Sequence, residues 1–108
     1  TDDGKNEAFD PRATIRQEWA RIRDHLEALA TDPEIDGRTR AKYMRIDRRS
    51  YGDFIEALEH DDTISGSVAQ LAREAYSLRN SFKRRHAPPT HDELTRMQLL
   101  ADRIIAEG

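Results

Sequence analysis

Cysteine is absent from this 108-residue chain. Its absence excludes disulfides, thiolate zinc sites and thiol nucleophiles, and it fits a reducing, cytoplasmic setting. Valine occurs once, at Val68, and aromatic residues make up 6% of the chain. With so few β-branched residues beyond Ile and Thr, and Ala, Leu, Glu and Arg abundant, strands are disfavoured and helices favoured. No apolar run approaches the ~20 residues that a membrane span needs, so no membrane is expected as a partner. The opening TDDGKNEAFD is acidic and has no apolar stretch. Residues 1–9 therefore read as a flexible acidic tail, not a signal peptide.

Signatures of chemistry are missing too. His25, His60, His86 and His91 form no i, i+4 pair, and no Glu-x-x-His occurs, so the spacing that builds metal cores in helical bundles is not there. All four read as surface histidines. The stretch TISGS has Gly and hydroxyls before a helix, where anions can bind, but Asp61 and Asp62 precede it and no P-loop Lys follows. It reads as a cap. No base can be assigned to Ser65 or Ser67 as a nucleophile. The expectation is a protein that is not an enzyme, with no cofactor and no metal.

What the chain does have is charge. Charged residues make up 36%, hydrophobic residues 36%, and the net charge is only −3. Disorder needs low hydrophobicity together with a large net charge. Here the apolar residues are periodic, which predicts one lean helical domain over residues 10–108. Asp10 suits an N-cap and Pro11 a first helical position. Ile15, Trp19, Ile22, Leu26 and Leu29 then follow at spacings of four and three, one stripe of one helix.

Pro33 and Gly37 close that segment. A second helix begins near Arg38, with Thr39, Tyr43, Ile46, Ser50, Phe54 and Ala57 on one side. Ser50-Tyr51-Gly52-Asp53 resembles a capping box, and Gly52 weakens a continuous helix, so a break near Ser50 is expected. Val68, Leu71, Ala75, Leu78 and Phe82 mark a further stripe, ended by Pro88 and Pro89. This stretch could be divided into a helix-turn-helix, but EAYSLRNS holds no turn residue, so one continuous helix is expected. Thr90-His91-Asp92-Glu93 is a full capping box opening a last helix on Leu94, Met97, Ala101 and Ile104. The predicted fold class is all-α: a small antiparallel bundle of four helices, or five if the second one breaks.

Two basic clusters carry the functional expectation. Between Arg38 and Arg49 lie six cations and one anion, with Arg38, Lys42, Arg45 and Arg49 predicted to line one exposed helix face opposite the apolar side. Arg79, Lys83, Arg84 and Arg85 form the second cluster. Arg outnumbers Lys 15 to 3, and its planar fork matches carboxylate and phosphate geometry. Against these stand five acids between residues 50 and 62, able to answer the first cluster from within. The leading expectation is a non-enzymatic, regulatory or accessory interaction module that binds a protein partner through a charged helical face. The alternative is a nucleic-acid-binding accessory protein using both basic clusters. A chain this lean would also gain from sharing apolar stripes in a homo-oligomer.

Overall fold

Five α-helices and one 3-10 turn make up the computed structural model, which describes residues 10–107. The expected acidic tail over residues 1–9 lies outside that span. The helices are α1 (Pro11–Ala30), α2 (Gly37–Arg45), α3 (Tyr51–His60), α4 (Gly66–Arg84) and α5 (His91–Glu107), and the 3-10 turn (Arg48–Ser50) lies between α2 and α3. No strand occurs among the described residues, and none of their helices is long and apolar enough to cross a membrane. The fold is a small all-α bundle. α1 packs on both α4 and α5, α4 also packs on α5, and α3 lies against α4.

The caps behave as their chemistry requires. The Asp10 carboxylate accepts the Arg12 N–H at 3.0 Å. Ser65 accepts the Val68 N–H at 3.1 Å, so TISGS is a cap. Thr90 and Glu93 close a reciprocal capping box at 2.8 and 3.2 Å. α4 runs unbroken to Arg84, as expected of a stretch without a turn residue. It ends without glycine, and Arg12 supplies the cap instead. Its guanidinium donates to the carbonyls of Phe82, Arg85, His86 and Ala87 at 2.8–3.1 Å, satisfying oxygens that a helix end leaves free.

Ile15, Trp19, Ile22 and Leu26 are buried as the α1 stripe predicts, and Trp19 is only 5% exposed. Its ring meets Tyr51 edge-on at 5.1 Å and lies tilted against Tyr76 at 5.6 Å. In α4 the buried face is rotated from the predicted one. Val68, Ala69, Ala72, Ala75 and Phe82 are buried, while Leu71 and Leu78 are only partly covered. Alanines on that face let backbones approach closely, leaving the longer leucines at the margin.

The second helix breaks, but earlier than expected. α2 ends at Arg45, and Ile46 and Asp47 are extended. The cause is Arg48. Its guanidinium turns back to donate to the carbonyls of Tyr43 at 2.7 Å and Ile46 at 2.9 Å, and it binds both carboxylate oxygens of Glu27. It also stacks over Phe54 at 3.8 Å. Ser50 makes no side-chain cap; Asp47 does that work, accepting the Arg49 N–H at 2.9 Å. The basic residues from Arg38 to Arg49 therefore do not share one helix face.

Candidate functional site

The break separates Arg49 from Arg38, Lys42 and Arg45, and the fold sends it to a new neighbourhood. α4 presents Tyr76, Arg79, Asn80, Lys83 and Arg84 along one side, at the i, i+3, i+4, i+7, i+8 positions that share a helix face. The 3-10 turn lies across this side, with the Tyr76 hydroxyl 3.4 Å from the Arg49 carbonyl. Between them is a cleft of about 330 Å³, lined by Arg48, Arg49, Arg79, Lys83 and Arg84 together with Tyr76 and Asn80. Among the described residues, five cations line it and no carboxylate does. Half of the predicted binding residues (Arg49, Arg79, Lys83, Arg84) thus meet in one place, although they come from two clusters 30 residues apart.

The five cations are not equivalent. Arg48 is neutralised by Glu27 and acts as a strut. Arg49 is 91% exposed and touches Asp47 at 3.0 Å, which holds that carboxyl below the usual range through the Arg49 hydrogen bonds. Arg79 donates to Asn80 at 3.1 Å and lies 5.8 Å over the Trp19 ring. Lys83 and Arg84 have no carboxylate partner among the described residues.

Two further depressions adjoin the cleft. One, of about 320 Å³, shares Arg79 and Lys83 with it and adds Arg12, Arg16, Ile15 and Phe82. The other shares Tyr76, Asn80 and Arg84 and adds Ser77 and Ser81. Together they form a trough at α4 whose lining, among the described residues, holds seven cations and no acid, with Asp10 reaching Arg16 from beside it at 3.8 Å.

The remaining predicted binding residues lie elsewhere. Lys42 pairs with Asp61 at 2.6 Å and lowers the pKa of that carboxyl, with the Tyr43 hydroxyl adding to the effect. It opens on a depression of about 680 Å³ lined also by Asp53, Glu56, Glu59, His60 and Arg73, a mixed surface of both signs. The acidic segment does answer the first cluster from within at this point. Arg85 stacks over Phe82 at 4.4 Å and binds Glu93 through two bonds of 2.9 and 2.7 Å, so it closes the α4–α5 loop. Arg38 and Arg45 are exposed on α2.

Sequence reasoning missed Arg12, Arg16 and Tyr76. Arg12 and Arg16 stand on α1, which the chain brings beside α4 only through the fold. Tyr76 had a signal: it is an aromatic three and four residues before Arg79 and Asn80, on the side of α4 that the cations share. His25 also departs from expectation, since it is half-buried beside Ile22 and Leu26, with Nε2 enclosed and unpartnered. Compared with known families, curated proteins and solved structures, the chain matches none.

Proposed function

We propose that this protein is a non-enzymatic helical interaction module that docks an anionic surface of another macromolecule in the trough along α4. The observation that carries this reading is the convergence of five cations on one cleft with no acid among the described residues of its lining. Most cations outside the trough meet carboxylates: Arg73 with Glu59, Arg96 with Glu74, Lys42 with Asp61 and Arg85 with Glu93. Within the cleft Arg48 and Arg49 meet Glu27 and Asp47, but Arg79, Lys83 and Arg84 have no carboxylate partner among the described residues, and like charges held close repel until an anion arrives. The lining offers cations, an amide and a phenol, but no carboxylate or imidazole to take up a proton.

The test is retention on immobilised heparin, a generic polyanion. Arg49→Gln/Arg79→Gln/Lys83→Gln/Arg84→Gln should elute at clearly lower salt than the wild type. A charge-matched control, Arg23→Gln/Arg38→Gln/Arg45→Gln/Arg103→Gln, should elute later than the cleft variant. Equal loss in both variants would show that net charge alone governs retention and would sink the docking reading.

A further inference from the structure

We infer that the macromolecule held in this trough is single-stranded nucleic acid, bound without sequence preference through its phosphates, with Tyr76 as a stacking platform. This rests on the docking reading above and goes one step past it, to the chemistry of the partner.

Three observations separate a phosphodiester chain from an acidic protein segment. First, the positive charge is repeated in neighbouring depressions. The central cleft and the depression around Arg12 and Arg16 share Arg79 and Lys83, so a strand leaving one anion site meets the next. At ~1.5 Å rise per residue, Tyr76 to Arg84 spans about 12 Å, enough for about three nucleotides at a stacked rise of ~3.4 Å. Secondly, the central cleft has almost no apolar wall apart from the Tyr76 ring. Protein partners draw most of their affinity from several apolar and aromatic anchors in dry pockets, and the central cleft offers a single ring, with Ile15 and Phe82 confined to the depression beside it. A phosphate chain needs no such anchor, because charge and counterion release supply its affinity.

Thirdly, the aromatic ring is in the right place. Tyr76 is half-buried, with its ring braced against Trp19 at 5.6 Å and Tyr51 at 6.0 Å. The rest of it forms the wall common to the cleft and the serine-lined depression beyond. A braced ring between cations is the arrangement by which single strands are held, bases stacking on the ring while the backbone follows the charge. Base edges would meet only Asn80 and the hydroxyls of Ser77 and Ser81, too few groups to read a sequence.

Fluorescence anisotropy with labelled twelve-residue probes tests this: oligothymidylate, the same length of duplex DNA, and oligoglutamate. At low salt the wild type should bind oligothymidylate more tightly than the other two. Two to three phosphate contacts predict a slope of log affinity against log salt of about −1.5 to −2, at ~0.7 per contact. Lys83→Gln/Arg84→Gln, both exposed and far from the core, should flatten that slope with the melting temperature unchanged. Tyr76→Leu should weaken binding about tenfold and leave the slope unaltered, because stacking is lost and charge is kept. Preference for oligoglutamate, lost in the Lys83/Arg84 variant, would overturn the nucleic-acid inference while the docking reading stands. Equal or tighter binding of the duplex would overturn the single-strand assignment. If no probe binds and heparin retention is insensitive to the cleft residues, both readings fall together.

Discussion

Arg48 and Arg49 are adjacent in the chain and do opposite work. The Arg48 guanidinium binds Glu27, caps two α2 carbonyls and covers Phe54. Arg48→Met keeps much of the stem and removes all of these bonds, leaving half-buried Glu27 with only the Tyr51 hydroxyl at 3.4 Å. We expect a loss of about 2–3 kcal/mol in urea unfolding, the scale of hydrogen bonds to a charged group. Arg49→Gln should stay within about 0.5 kcal/mol of wild type, because the side chain is exposed. Equal effects would mean that the strut and the ligand-facing residue have been misassigned. Glu93 gives a pH signature. Its carboxyl is held at about 2, against an ordinary 4.5, chiefly by the Arg85 hydrogen bonds and then by the Thr90 N–H. A depressed folded pKa means that the unfolded chain binds more protons in this window, so stability rises with pH there. The contribution is complete above about 4.5 and fades as pH falls towards about 2. Thermal melts across that range should be flatter for Glu93→Gln than for wild type.

At the scale of elements, the turn after α3 holds a local conflict. Asp62 has a positive φ of 59°, while its N–H bonds to the Glu59 carbonyl and the Thr63 N–H to that of Leu58. This is a Schellman ending with Asp where glycine is favoured. Asp62→Gly should raise stability by about 0.5–1 kcal/mol, since only the left-handed strain is removed. In α1, Trp19→Ala should cost about 3–5 kcal/mol, because the ring is enclosed by Tyr51 and Tyr76. Much of this level was legible in the sequence. Asp10-Pro11, Ser65 and Thr90…Glu93 announce helix starts through local chemistry alone, and the Ile15–Leu26 stripe follows from the 3.6-residue period. The end of α2 was not legible, because a pairing with Glu27, 21 residues away, sets it. The rotation of α4 was hidden for a related reason: a stripe of leucines and a stripe of alanines both fit the period, and only the neighbouring helices choose between them. The site was legible as composition and not as place. Two basic clusters stand out in the sequence, but only the 3-10 turn brings Arg49 to Arg79, Lys83 and Arg84, while Asp61 and Glu93 draw Lys42 and Arg85 into internal pairs.

For the whole molecule, the decisive property is where the charge goes. Net charge is slightly negative, yet the charged groups among the described residues lining the trough on α4 are all cations, while the depression beside Lys42 mixes both signs. A polyanion should therefore find one face, and it should be the α4 face rather than α2. The same division predicts that ionic strength weakens docking while hardly touching the fold, since the core residues are apolar and the cleft cations are mostly exposed. The most direct measurement is a nitrogen–proton correlation spectrum of the labelled protein during titration with a short heparin oligosaccharide. The account predicts amide shifts concentrated at Arg48–Arg49 and Tyr76–Arg84, with smaller ones at Arg12–Arg16 and none of comparable size over Arg38–Arg45. Shifts centred on α2, or spread evenly over every exposed cation, would contradict it.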